Sequence, residues 1–191
     1  MKEERHPVIR YGGMKIELGP LQAEYTHLYY KWNRDFVLAK YSDKPDRLTS
    51  EEQDDAFLAF SSDPQFVFFT IYDKETKSPI GITYLERGGA EAEFAIIIGE
   101  SRFHGRGYGR EAAELVLDYA FTVLGLARVT LAVDERNTAA IRAYRKAGFK
   151  DSGRIANGHD SDNIESRQLT MICHSKGFQS PILKNLLFPN I

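Results

Sequence analysis

Glu93-Phe94-Ala95-Ile96-Ile97-Ile98-Gly99 and, a short loop later, His104-Gly105-Arg106-Gly107-Tyr108-Gly109-Arg110 decide how this sequence folds. The first run is apolar, lies between Gly88-Gly89 and Gly99, and reads as a strand. The second opens the most periodic segment of the chain, about Gly107 to Leu124. There Ala112, Leu115, Val116, Tyr119 and Val123 fall on one helical face, and Glu111, Glu114, Asp118 and Thr122 on the other. A helix start presents unpaired N–H groups and the positive end of the peptide dipoles. Glycines at alternate positions let that backbone approach an anion without side-chain obstruction, and Arg106 and Arg110 add charge. The arrangement suits a pyrophosphate. A nucleoside-triphosphate loop would carry Gly-Lys-Ser/Thr, which is absent; a dinucleotide fingerprint would place a third glycine where Arg110 stands, and Asp134 is late for its acidic residue. On its own the loop also fits a tight strand-to-helix turn, so the flanking segments carry the decision.

On the N-terminal side, residues to about Gly13 read as an irregular leader. Lys15 to Leu18 reads as a strand closed by Gly19-Pro20, and Leu21, Tyr25, Leu28 and Trp32 recur at helical spacing as far as about Asn33. Ser50-Glu51-Glu52-Gln53 resembles a capped helix start, with Asp63-Pro64 ending the helix. Phe66 to Tyr72, Pro79 to Glu86 and about Ala92 to Ile98 are strands joined by short turns, as in an antiparallel meander. On the C-terminal side come a stop at Gly125, a strand Arg128 to Val133, a helix Asn137 to Ala147 and a strand Phe149 to Arg154. A polar loop Ile155 to Glu165 and a last strand Gln168 to Cys173 complete the domain. The tail beyond Lys176 carries Ile182, Leu183, Leu186, Leu187 and Phe188, which need cover from the domain or from a partner chain; a homodimer is one expectation. No repeat or linker divides the 191 residues, so a single domain is expected over 1–191.

Composition narrows the function classes. Hydrophobic residues make up 42% and charged residues 27%, with a net charge of −2 and no block of like charge, which argues against a nucleic-acid partner held by bulk electrostatics. The one cysteine, Cys173, sits in an apolar run and reads as a buried, inert thiol; the five histidines are scattered, so metal catalysis is not supported. The start, Met1-Lys2-Glu3-Glu4-Arg5, lacks an apolar signal region, and no apolar stretch approaches the roughly 20 residues that cross a bilayer. No membrane association and a cytoplasmic location are the corresponding expectations.

Three segments in register resemble the GNAT acetyltransferase superfamily, in its branch of ribosomal-protein N-terminal (RimJ/RimL-like) and spermidine acetyltransferases. Glu93 to Gly99 is similar to its fourth strand, and Gly105 to Ala112 to its pyrophosphate loop and helix start. Asn137-Thr138-Ala139-Ala140-Ile141-Arg142-Ala143-Tyr144-Arg145-Lys146-Ala147-Gly148-Phe149 is similar to its second signature. The family consensus has Gln or Arg where His104 stands; because backbone N–H groups carry most of the phosphate contact, little functional loss is expected. The resemblance implies an α/β fold, a mixed and mostly antiparallel twisted sheet of about seven strands with helices on both faces. It implies acetyl-CoA as cofactor, with the backbone of Ile96, Ile97 and Ile98 pairing the pantetheine arm where neighbouring strands splay. Residues His104, Gly105, Arg106, Gly107, Tyr108, Gly109 and Arg110 would hold the pyrophosphate, Asn137 would touch the cofactor near its thioester, and Tyr144 would be the general acid.

The reaction so implied is attack of a neutral amine on a thioester. An amine of pKa near 10.4 is free base in only about one molecule in 2500 at pH 7, so deprotonation costs roughly 4.6 kcal/mol. Glu93 is the base candidate, and strand alternation places it with Ala95 and Ile97, opposite Phe94, Ile96 and Ile98. Tyr144, with a reference pKa near 10, stays protonated to meet a departing thiolate; packing beside Ala140 and Ala147 is its other role. Tyr30, Trp32 and Asn33 either line the acceptor site or belong to the core. Glu86, Glu91 and Glu93 suit a cationic small molecule (polyamine, amino sugar or amine antibiotic). A protein N-terminus is the second acceptor, and a non-catalytic acyl-CoA sensor or a nucleotide-binding protein are the remaining alternatives.

Overall fold

The computed structural model describes residues 11–32, 48–159 and 165–179. Among them eight strands form one sheet in the order β1-β2-β3-β4-β5-β6-β8-β7. These are β1 (Tyr11–Gly12), β2 (Ile16–Gly19), β3 (Phe66–Asp73), β4 (Pro79–Gly88), β5 (Glu91–Ile98), β6 (Arg128–Asp134), β7 (Lys150–His159) and β8 (Glu165–His174). All neighbours are antiparallel except β5 and β6, which run parallel. The eighth strand is the short β1, so the expected leader already pairs with the sheet at Tyr11 and Gly12.

Helices cover both faces, as the pattern of apolar residues requires. On one face lie α3 (Tyr108–Asp118) and α4 (Thr138–Ala147). Leu115, Val116, Ile141 and Ala147 join Phe69, Leu85, Phe94, Leu131 and Met171 in the main core there. On the other face α1 (residues 26–32, after a 3-10 turn at Ala23–Tyr25) and α2 (Ser50–Ser62) bury Tyr29, Trp32, Ala56 and Phe57 against Ile82, with Phe68 and Ile97 beside them. At roughly 1.5–3 kcal/mol for each large side chain taken from water, these two layers supply the drive that flattens strands and helices together.

Local chemistry refines four boundaries. The cap of α2 is Thr49, not Ser50: Glu52 Oε2 accepts from the Thr49 amide at 2.7 Å, and the Glu52 amide donates to Thr49 Oγ1 at 3.3 Å. Both registers fit the capping-box pattern, and the one used puts a charged carboxylate at the helix start. The helix of α3 passes into a π turn at Tyr119–Val123, which turns Val123 out to 48% exposure rather than onto the buried face. Gly125 then ends it with φ 65°. Finally, the expected loop from Ile155 is strand as far as His159, and β8 begins at Glu165 and pairs with it antiparallel; residues 160–164 lie outside the described residues. The tail beyond Gln179 and Asn33 lie outside the described residues.

Candidate active site

The parallel pair β5 and β6 is joined only at its start, through Glu91 with Arg128, Ala92 with Val129 and Glu93 with Thr130. Beyond Glu93 the two strands part, although β5 continues to Ile98 and β6 to Asp134. Gly99 donates to the Ile80 carbonyl at 2.9 Å, so the two-residue alternation of an antiparallel ladder aims the backbone groups of Ile97, Ala95 and Glu93 at β4. Those of Ile98 and Ile96 face the gap instead, and Phe94 stands at its start, flanking the last paired residue Glu93. Of the three isoleucines expected to pair with an extended ligand, Ile96 and Ile98 thus have backbone groups on the open edge, and Ile97 is turned to Ile82. The Ile98 carbonyl receives the His104 ring Nε2 at 2.7 Å, which leaves its N–H toward the gap.

The open edge leads to the glycine loop. Gly105 and Gly107 take φ of 70° and 90°, and Gly107 caps α3 from that left-handed conformation, which a side chain would strain. No backbone acceptor among the described residues takes the amides of Gly105, Arg106 or Gly107, and those of the first helical turn are orphaned by geometry. A row of unpaired N–H groups at a helix start fits a pyrophosphate, and a strand edge with unpaired backbone fits the amide-bearing arm that precedes it. Arg110 is committed to Glu114 at 2.7 Å and Arg106 is exposed. Asn137 caps α4, its side-chain oxygen accepting from the Ala140 amide at 3.1 Å. Arg145 pairs with Asp151 at 2.7 Å.

Near the point where the strands part, Tyr144 packs on Phe94 on one face of the sheet, and Glu93 lies on the other. The Tyr144 ring stands edge-on to Phe94 (6.1 Å, 90°) and Phe149 (6.0 Å, 66°). Burial pushes its phenol up to about 12, and its hydroxyl has no hydrogen-bond partner among the described residues. Glu93, the residue before Phe94, points to the α1/α2 face, is exposed and is likewise unpartnered among the described residues. It stands directly across from Glu86. Glu91, by contrast, is in an ion pair with Arg128. The first-helix aromatics divide: Trp32 is buried and bonds Glu100 through its indole N–H at 3.3 Å, and the half-buried Tyr30 accepts from the Leu48 amide at 3.0 Å.

A cavity of about 980 Å³ lies between α3, the end of α4 and the end of β8. Its walls include Arg110, Phe121, Lys146, Cys173 and Phe178, but neither Glu93 nor Tyr144, so its size does not make it the reaction centre. The Cys173 thiol in its wall is pushed up to about 11 by burial, which makes it a poor nucleophile. Among the described residues no group of His, Cys, Asp and Glu is placed to hold a metal ion, and no helix is long and apolar enough to cross a membrane.

A splayed parallel pair, an anion-receiving helix start and a phenol at the vertex define an acyl-CoA-dependent transferase. The chain belongs to the GNAT acetyltransferase family, whose acetyltransferase (GNAT) domain it matches over residues 15–150; acetyl-CoA is the cofactor of that family. It is 32% identical over 143 residues to the spermidine N(1)-acetyltransferase of Escherichia coli K12, covering 73% of this chain and 75% of that protein. It is 26% identical over 164 residues to the alpha/beta-tubulin-N-acetyltransferase 9 of Drosophila melanogaster, covering 78% and 82%. Among solved structures, its fold is similar to that of spermidine N-acetyltransferase from Vibrio cholerae in complex with CoA and spermine, with a TM-score of 0.73 at 22% identity, covering 87% of this chain and 99% of that one.

Proposed function

We propose that this protein transfers an acetyl group from acetyl-CoA to a primary amine of a polyamine. The observation that carries the acceptor is the carboxylate pair Glu86 and Glu93, directly opposed across β4 and β5 where the strands part. Glu86 accepts from the Gln65 side-chain amide at 3.1 Å, and Glu93 beside it is exposed; a cationic amine brought to the vertex is attracted by both carboxylates. The similarity to a spermidine acetyltransferase supports the same acceptor.

The residues divide the work. The backbone edge of Ile96 and Ile98 would hold the pantetheine arm, and the amides from Gly105 to Arg110 the pyrophosphate. When bound, acetyl-CoA supplies an electrophilic thioester carbonyl and a thiolate leaving group. Glu93, exposed at the vertex and without a partner among the described residues, accepts the proton of the incoming ammonium directly or through water. Tyr144, kept neutral by burial, presents its proton from the other face.

A protein amine as acceptor is the second reading, favoured by the similarity to tubulin acetyltransferases over 78% of the chain. Thiol release from acetyl-CoA, measured with spermidine, spermine and peptides bearing free N-termini, separates the two. Turnover with polyamines at least tenfold more efficient than with any peptide is the expected result. Turnover with peptides alone sinks the polyamine reading, and CoA binding without turnover on any amine would indicate a sensor.

A further inference from the structure

The glycine loop is held by residues that belong to no part of its motif. The Lys15 ammonium donates to the Arg106 carbonyl at 2.7 Å and lies 5.9 Å from the centre of the Tyr108 ring. In a trans peptide the carbonyl of one residue and the N–H of the next point in opposite directions. Capture of the Arg106 carbonyl by Lys15 therefore turns the Gly107 N–H to the opposite side of the loop. Gly107, at φ 90°, is free to rotate that peptide unit in a way no other residue would be, so the orientation needs an external lock.

Lys15 is itself clamped. Its amide donates to Glu111 Oε1 at 2.7 Å, and its carbonyl accepts from the Lys74 amide at 2.8 Å. Glu111 is 6% exposed and packs so tightly on the β1–β2 turn that a Cβ on Gly13 would meet its Oε1 at 2.1 Å. The β3–β4 turn supports the same loop from beside it, because the Tyr108 hydroxyl donates to Asp73 Oδ1 at 2.9 Å. Asp73 in turn takes the Thr76 amide and hydroxyl on its other oxygen, at 2.9 and 2.7 Å.

We infer that Lys15 is a positioning residue for the cofactor pyrophosphate, acting through the Arg106–Gly107 peptide rather than by touching the reacting atoms. The inference rests on the glycine loop being the pyrophosphate site. It is tested on the full-length chain by titration calorimetry with CoA and with pantetheine, which lacks the pyrophosphate, for wild type, Lys15→Met and Lys15→Arg. In Lys15→Met the CoA Kd should rise about tenfold, the loss of one charge-assisted hydrogen bond. Pantetheine binding and the ligand-free melting temperature should stay unchanged, since the Lys15 side chain is exposed. Lys15→Arg, which keeps a donor, should recover most of the loss.

Salt separates positioning from direct charge. A positioning effect persists at about 0.5 M salt, whereas attraction of an exposed ammonium for phosphate is screened there. An unchanged CoA Kd in Lys15→Met overturns the inference, and so does a loss that disappears at high salt. A wild-type chain that binds CoA no more tightly than pantetheine overturns the pyrophosphate reading beneath it, a result distinct from the other two.

Discussion

Replacing Tyr144 by Phe removes one hydroxyl and keeps the ring between Phe94 and Phe149. The size of the expected effect follows from the phenol's acidity. Burial places it at about 12, whereas a leaving thiol has a reference pKa near 8.5. The phenol is the weaker acid by about 3.5 units, so complete transfer of its proton to the thiolate would be uphill by about 5 kcal/mol. In the proposed mechanism Tyr144 would therefore act chiefly by donating a hydrogen bond to the developing negative charge. Such a bond contributes about 1.5–3 kcal/mol, or a roughly 10- to 150-fold effect on kcat. That is below the upper range of full general acid catalysis, roughly ten-thousandfold. The assay is thiol release at saturating amine and acetyl-CoA, with CoA affinity and melting temperature measured in parallel. Because the hydroxyl has no partner among the described residues, stability should not fall in Tyr144→Phe. A kcat within threefold of wild type would refute the reasoning; so would a kcat loss matched by an equal loss of CoA affinity, which would make the ring's packing the cause.

The same acidity fixes a pH dependence. The folded pKa of Tyr144 is raised above its unfolded value of about 10, so its contribution to stability is complete below pH 10 and is lost as pH climbs toward 12. A descending limb of kcat below pH 10 that vanishes in Tyr144→Phe would contradict this. Glu93→Gln should lower kcat/KM by roughly a hundredfold or more near pH 7, and the defect should shrink toward pH 10, where free amine no longer needs a base; a defect constant across that range would argue against Glu93. Gly99→Ala should destabilise the fold by about 1–3 kcal/mol, because its Cβ would stand 2.0 Å from Trp32. Chemical denaturation measures the loss, and a shift in emission of Trp32, the single tryptophan, should accompany it.

The fold was legible where one face of an element is dry. The β5 alternation, the α3 and α4 stripes and the stop at Gly125 were readable because burial imposes a period on side chains. Reading failed where that pressure is absent. Beyond Arg154, β7 runs on to His159, and β8 starts at Glu165 ahead of the expected Gln168; these outer ends are polar, with Ile155 exposed, so their composition resembled a loop. The π turn at Tyr119–Val123 was invisible because its signature is a hydrogen-bond shift, not a residue type. At the candidate site, the glycine loop is singled out by its spacing, and Tyr144 and Glu93 by the resemblance of their segments to the family. Lys15 and Asp73 are not, since each reaches the loop from a turn far away in sequence, at separations of 91 and 35 residues. No local pattern encodes such a contact.

The register of β5 links the fold to the chemistry more tightly than the motifs do. One strand serves three surfaces: Phe94, Ile96 and Ile98 enter the main core or its margin, Ile97 packs with the second core, and the backbone of alternate residues faces the gap. A slip of one residue would move Glu93 into the apolar cluster beside Phe149 and Leu131 and would send Phe94 out to the face now holding the carboxylate. An unpaired carboxylate there is strongly disfavoured and would be driven to take up a proton, losing the charge a base requires. Core packing therefore excludes the register in which the site fails. The same hydrophobic alternation that assembles the sheet places a carboxylate on one side of the vertex, a neutral phenol on the other and an unpaired backbone edge between them.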